Sequence, residues 1–325
     1  MKVGYVALVG RPNVGKSTLL NKILGQKVAI ISDKPQTTRT NILGIKTTQK
    51  GQIIFVDNPG IHRPLHKLNK RMMNIVYSSL QTSDLICLLI DATQRYGHGD
   101  QFVIETLGNT STPLILLINK VDIIKKEKIL LLIDTYKDLL DFKEIIPISA
   151  LKGTNVDVLE EKLYDFLPEA EKIYSDEEIS NQSQRFLLSE IIREKLLRHV
   201  REELPFVTAV YVEIIEDYVR STDHELPPGE STEASRPKAR KYIMASIFVE
   251  KDNHRRIIIG RRGQMIKTIG TEARLEMEKI LETRVFLDLG VKVRERWRDK
   301  ADVLDLIEGQ KENIQLGPNN TSHKL

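Results

Sequence analysis

Through about residue 167, short apolar runs alternate along the chain with longer segments of helical periodicity. The runs are unbroken and rich in β-branched residues, which is typical of strands buried on both faces of a parallel sheet. The predicted strands are residues 3–9, 53–56, 85–90, 114–118 and 145–148. The segments between them place apolar residues three and four apart, and the predicted helices are residues 16–24, 67–79, 101–107, 127–140 and 156–166. The alternation predicts a mostly parallel α/β domain over residues 1–170.

The pattern changes after a polar, acid-rich linker at residues 171–184. Helices and strands then cluster, and the predicted order is helix 185–199, strands 208–215 and 243–249, helices 254–259 and 264–281, and strand 285–293. This order predicts an α+β domain over residues 185–308. Residues 221–240 are rich in Pro, Glu, Ser and Thr, and we expect a solvated insertion whose basic end is a candidate RNA contact. Residues 309–325 are too polar to pack and are predicted to be disordered.

Composition is compatible with two folded domains. The 325 residues are 41% hydrophobic and 29% charged, which excludes a fibrous or largely disordered chain. The single cysteine, Cys87, lies in an apolar run; we expect a buried strand residue rather than a reactive thiol, and a reducing compartment. The chain shows neither a signal-peptide pattern nor about 18 consecutive apolar residues, so we expect a cytoplasmic protein. The net charge of +4 is a weak indication of an anionic partner.

A phosphate-binding pattern follows the first predicted strand and opens the first helix. Residues 10–17 read Gly-Arg-Pro-Asn-Val-Gly-Lys-Ser. In this context the backbone amides and the helix N-terminus cradle the α- and β-phosphates, Lys16 reaches the β- and γ-phosphates, and the Ser17 hydroxyl is placed to bind Mg²⁺. The alternative is a glycine-rich turn without a ligand. The remaining candidate nucleotide-binding residues of this loop are Gly10, Asn13, Val14, Gly15 and Thr18.

The base is indicated by a second motif, Asn119-Lys120-Val121-Asp122, at the end of the strand 114–118. Asp122 would accept hydrogen bonds from guanine N1–H and the exocyclic amine, which adenine does not offer, so pairing of this kind discriminates strongly. We expect Asn119 to brace the neighbouring loops and Lys120 to lie over the base. After the next strand stand Ser149, Ala150 and Leu151, where the Ala150 amide would donate to guanine O6. The sequence therefore predicts GTP and GDP as ligands.

Two further loops carry residues that would sense the γ-phosphate. Asp57-Asn58-Pro59-Gly60 ends a strand, so Asp57 could hold Mg²⁺ through water and the Gly60 amide could reach the γ-phosphate. Residues 35–39, Pro-Gln-Thr-Thr-Arg, supply hydroxyls that could close on Mg²⁺ only when that phosphate is present. A plain threonine-rich loop is the alternative.

These motifs together resemble the translation-factor-related GTPases of the Era and TrmE type. The resemblance implies a phosphate-loop GTPase domain with a mostly parallel six-stranded sheet, and Mg²⁺-dependent hydrolysis of GTP to GDP. The spacing of related switch loops assigns the Mg²⁺-binding threonine to Thr38, with Thr37 as the fallback. Asn13 resembles the position that helps potassium-stimulated relatives bind K⁺ as an activating cation. Lys16, Thr38, Gly60 and Asn13 are therefore the candidate catalytic residues.

The loop after Gly60 departs from the best-known GTPase pattern. Ile61 stands where a glutamine could orient the attacking water, so we expect slow intrinsic turnover. His62 is either a water-orienting residue or a surface histidine of a mobile loop. Asn58 stands where the resembling family often has threonine, and we expect little consequence.

The C-terminal half contains a Gly-x-x-Gly turn, Gly260-Arg261-Arg262-Gly263, between two predicted helices. It lies in a basic stripe, residues 254–270, that has no acidic residue. This is the signature of a KH domain, in which the turn clamps the nucleic-acid backbone. Arg261, Arg262 and Lys267 would contact phosphates, and Ile258, Ile259 and their apolar neighbours Ile257, Ile266 and Ile269 are predicted to line a groove for unstacked bases.

The GTPase motifs followed by a type II KH order resemble the Era family over nearly the whole chain, except residues 221–240 and the tail after about 309. The resemblance implies binding to the 3′ end of 16S ribosomal RNA, rather than to DNA, and a role in assembly and maturation of the small (30S) subunit. It also implies peripheral association with the cytoplasmic face of the cell membrane in some species, for which this sequence offers no anchor. Trp297 matches a family position, and we expect it to pack rather than to stack on a base.

Two other functions stay open on the sequence alone. The chain could be an RNA-binding scaffold that binds GTP without meaningful turnover, since Ile61 removes the usual water-positioning side chain. A tRNA-modification partner from the same superfamily is disfavoured, because the KH pattern would have no part in it.

Overall fold

A computed structural model describes residues 1–218 and 240–308 of the chain. The predicted tail and all of the predicted insertion except Arg240, which begins a strand, lie outside the described residues. None of the described helices is long and apolar enough to cross a membrane.

The N-terminal domain is built on a six-stranded sheet. Its strands are β1 (Lys2–Gly10), β2 (Ile42–Thr47), β3 (Gly51–Asp57), β4 (Leu85–Asp91), β5 (Leu114–Asn119) and β6 (Phe142–Pro147). Their order across the sheet is β2-β3-β1-β4-β5-β6, and only β2 runs antiparallel to its neighbour. The apolar runs did not reveal β2, because this edge strand interrupts its apolar residues with Gly44 and Lys46.

Five helices cover the two faces of this sheet. They are α1 (Lys16–Leu24), α2 (Lys67–Thr82), α3 (His98–Leu107), α4 (Lys126–Tyr136) and α5 (Val156–Phe166). Helix α4 ends before its predicted end at residue 140, and β6 begins at Phe142 rather than 145. Lys143 and Glu144 make β6 look polar, because they lie at an edge strand that is only partly buried. The prediction of a mostly parallel α/β domain is confirmed.

The C-terminal domain has a three-stranded sheet. After α6 (Gln184–His199) and α7 (Leu204–Val207) come β7 (Thr208–Tyr218), β8 (Arg240–Val249), α8 (Asp252–Ile259), α9 (Gln264–Ile280), β9 (Arg284–Val293) and α10 (Ala301–Ile307). Strand β8 is central, antiparallel to β7 and parallel to β9. One face of the sheet packs on α6, α8 and α9. The predicted order of the α+β domain is confirmed, and α7 and α10 are additions to it.

The other face of this sheet packs against the N-terminal domain. Leu68 and Met72 of α2 share a buried cluster with Phe248, Trp297 and residues of α10. Trp297 is fully buried and donates its indole N–H to the Val207 carbonyl at 2.8 Å. It is therefore a packing residue, as predicted, and cannot stack on a base in this arrangement.

The linker lies against the edge of the larger sheet. The backbone N–H of Ile45 donates to the Ile179 carbonyl at 2.8 Å. The Gln52 amide donates to the Tyr174 carbonyl at 2.8 Å and accepts from the backbone N–H of Ile173 at 2.9 Å. These contacts hold the linker on the open side of β2 and so fix where α6 begins.

Candidate functional site

A cavity of about 450 Å³ opens at the carboxyl ends of the parallel strands, where open α/β sheets bind their ligands. It is lined by the loop that joins β1 to α1 and by residues of two switch loops, which contain the motifs at residues 35–39 and 57–60. Gly15 starts α1 with a φ of +103°, and a Cβ there would lie 2.3 Å from Nδ2 of Asn119. Only glycine allows this close approach between the phosphate loop and the base-reading loop.

Lys16 is buried at the base of this cavity, and no carboxylate within residues 1–218 and 240–308 forms an ion pair with it. Its Nζ donates to the Arg11 carbonyl at 3.1 Å and lies 3.4 Å from the Gly10 carbonyl. Burial lowers the pKa of Lys16 to about 8, against the opposing effect of the Asp57 charge. A buried ammonium held only by carbonyls favours an anionic ligand, because desolvation of its charge is poorly compensated.

Three oxygen-bearing side chains predicted to bind Mg²⁺ converge beside Lys16. The Ser17 hydroxyl donates to Oδ2 of Asp57 at 2.6 Å and lies 3.0 Å from Oγ1 of Thr38. Oδ1 of Asp57 is buried with no hydrogen-bonding partner among the described residues. Burial raises the pKa of Asp57 to about 6, although the charge of Lys16 and the hydrogen bonds from Ser17 and Thr38 lower it. An all-oxygen set with an unpaired carboxylate atom fits the preferences of Mg²⁺.

The neighbouring threonine points elsewhere. The hydroxyl of Thr37 donates to the Lys34 carbonyl at 2.6 Å, whereas Oγ1 of Thr38 lies 3.5 Å from Oδ2 of Asp57. The structure therefore brings Thr38, and not the fallback Thr37, to the cluster with Ser17.

Asn119 ties the phosphate loop to the loop after β6. Its Nδ2 donates to the Val14 carbonyl at 2.7 Å, and its Oδ1 accepts from the backbone N–H of Ala150 at 2.9 Å. This bracing agrees with the prediction for Asn119. The Ala150 amide, which we expected to donate to guanine O6, is engaged by Asn119 in this structure.

Lys120 is anchored by a residue that the motif analysis missed. Its Nζ donates to the Asn13 carbonyl at 2.9 Å and forms an ion pair with Asp91 at 2.6 Å. Asp91 is the last residue of β4. Its position at the strand end, on the edge of the sheet where the ligand binds, is the feature of the sequence that could have identified it. Asp122 lies in a one-turn 3-10 helix, Val121–Ile123, and is exposed, as is Leu151 at 71%. Ser149 is fully buried.

The loop after β3 is attached to the phosphate loop through its backbone. The N–H of Ile61 donates to the Gly10 carbonyl at 3.0 Å, and its side chain is buried in the core. Nδ1 of His62 lies 2.6 Å from the Gly60 carbonyl, so the ring packs back on its own loop. Asn58 is fully buried and its Nδ2 donates to the Ser79 hydroxyl at 2.9 Å. Asn58 therefore anchors the loop to α2.

The Gly-x-x-Gly turn joins α8 to α9 and presents its arginines to solvent. Gly260 has φ +73° and ψ 176°, and Gly263 has φ +74° and ψ 10°. Arg261, Arg262 and Lys267 are exposed, and no salt bridge to any of them is formed within residues 1–218 and 240–308. Arg255 and Arg256, in contrast, both pair with Asp252 of the same helix, at 2.8 and 2.9 Å. The positive charge offered at the turn thus comes from Arg261, Arg262 and Lys267.

The predicted apolar groove needs a correction. Ile258 and Ile269 are fully buried in the core under the sheet, because they lie on the inward faces of α8 and α9. They cannot line a surface open to bases in this arrangement. Ile257 is 48% exposed, and Ile259 and Ile266 are half-buried, so the accessible apolar surface is smaller than predicted.

Two buried arginines join the switch loop to the C-terminal domain. Arg39 is the last residue of the 35–39 motif, and its guanidinium donates to the carbonyls of Thr208 and Pro205. Arg193 of α6 donates to the Thr37 carbonyl. Sequence reasoning assigned neither a role, and Arg193 lies in no motif.

A nucleotide-binding α/β domain with two switch loops, packed on a KH fold, defines the class of phosphate-loop GTPases that carry an RNA-binding module. Comparison with known proteins agrees. The family model described as 50S ribosome-binding GTPase matches residues 5–120, and the KH domain model matches residues 230–298. The chain is 44% identical over 303 residues to the GTPase Era of Thermoanaerobacter sp. (strain X514), covering 93% of this chain and 95% of that protein.

Solved structures give the same result. A crystal structure of Era in complex with MgGDPNP and nucleotides 1506–1542 of 16S ribosomal RNA is 41% identical, with a TM-score of 0.84, covering 94% of this chain and 98% of that one. A variant of Aquifex aeolicus Era bound to GDP and AlF4⁻ has the same identity and TM-score, covering 94% and 99%. The chain belongs to the Era family of GTPases.

Proposed function

We propose that this GTPase is a Mg²⁺-dependent switch that binds the 3′ end of 16S ribosomal RNA through its KH domain and assists assembly and maturation of the small ribosomal subunit. The observation that carries the proposal is the convergence of Ser17, Thr38 and Asp57 at the phosphate loop of a chain that also keeps an exposed arginine-bearing KH turn. The Era relative crystallised with MgGDPNP and a 16S fragment supports the same pairing of ligands.

The nucleotide is held by charge and by oriented amides. Lys16 neutralises the β- and γ-phosphates, and the Gly60 amide donates to the γ-phosphate. Ser17, Thr38 and Asp57 would hold Mg²⁺, which would supply positive charge to phosphate oxygens on which negative charge grows as the bond from the γ-phosphorus to the leaving oxygen breaks. Asn13, which lines the cavity, helps to hold K⁺ near the same bond. Each of these groups stabilises charge that grows in the transition state, which is how phosphoryl transfer is accelerated.

Guanine selection rests on the exposed carboxylate of Asp122 and on the Ser149–Leu151 loop. Asp122 accepts from the two donors on the Watson–Crick edge of guanine, and Lys120 covers the base. The Ala150 amide reaches guanine O6 by sharing its hydrogen between that oxygen and Oδ1 of Asn119, because leaving the buried Oδ1 without a donor would be costly.

RNA is held at the turn between α8 and α9. Gly260 and Gly263 let the phosphates approach the backbone, while Arg261, Arg262 and Lys267 add the charge. The exposed part of Ile257 and the half-buried Ile259 and Ile266 offer apolar contact to unstacked bases. A cytoplasmic location is proposed from the sequence pattern, and peripheral association with the membrane from the family resemblance.

The test is single-turnover hydrolysis of GTP by the full-length protein, alone and with a 16S 3′-end oligonucleotide or a scrambled oligonucleotide of equal length. We expect turnover that requires Mg²⁺, disappears in Lys16→Ala, and changes with the 16S oligonucleotide only. Binding of GTP without turnover in any condition would favour the scaffold function. Equal binding of both oligonucleotides would overturn the assignment to 16S RNA.

A further inference from the structure

The KH domain holds the switch loop from two sides. On one side, the Nη2 atom of Arg193, in α6, donates to the carbonyl of Thr37. On the other, the guanidinium of Arg39 donates to the carbonyl of Thr208 at 2.7 Å and to that of Pro205 at 2.9 Å. The two arginines are buried, with 2% and 5% of their surface exposed. The backbone of residues 37–39 is therefore clamped by partners in the other domain.

Thr38 lies between these two attachment points. Its own hydroxyl faces Ser17 and Asp57, at 3.0 and 3.5 Å, in the nucleotide cavity. The KH domain thus restrains the backbone on either side of Thr38, while the Thr38 side chain lies in the nucleotide site. Misplacement of a catalytic oxygen by about 1 Å can cost on the order of a hundredfold in rate, so such a restraint matters for hydrolysis.

Arg193 is itself oriented for this contact. Its Nε donates to Oε1 of Glu190 at 2.6 Å and its Nη2 donates to Oε2 of the same carboxylate, one turn earlier in α6. The planar guanidinium is fixed by this two-point pairing, so Nη2 can serve the Thr37 carbonyl as well.

The clamp holds only in a well-defined arrangement. Nε of Arg39 and Nη1 of Arg193 are buried with no partner among the described residues. Burying two neighbouring cations is costly unless their remaining hydrogen bonds are well formed. Loss of one hydrogen bond is therefore expected to release the loop rather than to loosen it slightly.

We propose that Arg193 is a positioning residue for GTP hydrolysis, through which the KH domain holds Thr38 where it completes the Mg²⁺ site. The RNA-binding domain is then part of the GTPase machinery rather than only its output. This inference rests on the proposed role of Thr38, and the experiment separates the two.

The experiment compares Arg193→Ala, Arg193→Lys and Thr38→Ala in the full-length protein. We expect Arg193→Ala to lower the single-turnover rate about tenfold, as loss of one charge-assisted hydrogen bond implies. It should also raise the Mg²⁺ concentration that gives half-maximal hydrolysis, while GDP affinity stays unchanged because GDP does not need the closed switch loop. Arg193→Lys should recover part of the rate, since it keeps a donor but not the two-point pairing with Glu190.

Arg71→Ala is the matched control. Arg71 joins the same two domains without a hydrogen bond to residues 37–39 in the described part of the chain, through Nη1 to Asp305 at 2.8 Å and to Glu308 at 3.2 Å. Its removal should leave the rate and the Mg²⁺ dependence unchanged. The inference is overturned if Arg193→Ala hydrolyses GTP like the wild type while Thr38→Ala does not, or if Arg71→Ala is impaired to the same extent. If Thr38→Ala is also unimpaired, the proposed Mg²⁺ site itself is wrong.

Discussion

Replacing Gly263 by Asp is expected to weaken RNA binding strongly at little cost to the fold. Gly263 has a φ of +74°, in the left-handed region, and a Cβ there would meet no heavy atom within 4 Å. The cost to the fold is then the backbone conformation alone, roughly 1 kcal/mol, and Asp tolerates it better than most residues. Arg262, with a φ of +52°, already holds a side chain in this region within the same turn.

The effect on RNA binding is expected to be much larger. The new carboxylate would lie where a phosphate approaches the turn, and two like charges 4 Å apart repel by about 1 kcal/mol in water and about 4 kcal/mol in a surface environment of lower effective dielectric constant. Affinity should therefore fall by about fivefold to about seven hundredfold, since each 1.4 kcal/mol is a factor of about ten.

The assay is a filter-binding titration of a 16S 3′-end oligonucleotide, with thermal unfolding and GDP affinity measured on the same preparations. Gly263→Ala adds the Cβ without the charge and should bind more tightly than Gly263→Asp. Gly260→Ala is a contrasting variant, because a Cβ there would lie 2.8 Å from Cβ of Met265 and should disturb the turn itself. Wild-type binding by Gly263→Asp would place the RNA elsewhere, and a large loss of stability would refute the argument from open space.

Four further outcomes are expected. Asp122→Asn should change nucleotide preference from GTP towards xanthosine triphosphate in a competition assay, because an amide can donate to the oxygen that replaces the guanine amine; an unchanged preference would exclude Asp122 as the base reader. Hydrolysis should be faster in K⁺ than in Na⁺ and Asn13→Ala should remove the difference, so equal wild-type rates in the two salts would contradict cation activation. Replacing Arg261 and Arg262 by Ala should lower the slope of log K against log salt by roughly 1.4 without changing base preference, and an unaltered slope would mean that neither contacts phosphate. Because burial raises the pKa of the Cys87 thiol, iodoacetamide should label it only after unfolding, and rapid labelling of the native protein would show that β4 opens.

Much of the nucleotide site could be predicted from the sequence because its parts are local. The phosphate loop needs a strand end, glycines and a helix start within residues 10–17, and all of these can be recognised along the chain. The spacing of the switch loop led to Thr38 rather than Thr37, and the structure brings the Thr38 hydroxyl to Ser17. Cys87 and Trp297 were likewise predicted correctly as buried residues, Cys87 from its apolar neighbours and Trp297 from its match to a position of the resembling family.

Burial within the KH domain was harder to predict. Ile257, Ile258 and Ile259 are equally apolar in sequence, yet Ile258 is fully buried and Ile257 is 48% exposed. The difference depends on which face of α8 meets the sheet. In a segment of three identical residues, the apolar pattern carries no information about that rotation.

The sequence by itself determined the class of protein, the phosphate and base chemistry, and the order of helices and strands apart from β2, α7 and α10. Only the tertiary structure placed Asp91 beside Lys120, and Arg193 on the carbonyl of Thr37, which lies 156 residues earlier in the chain. Every residue type supplies a backbone carbonyl, so a side chain that donates to one cannot be recognised from a motif in the sequence. Such contacts are selected by the packing of Trp297 and α10 against α2, which sets the position of one domain on the other and thereby decides what the switch loop touches.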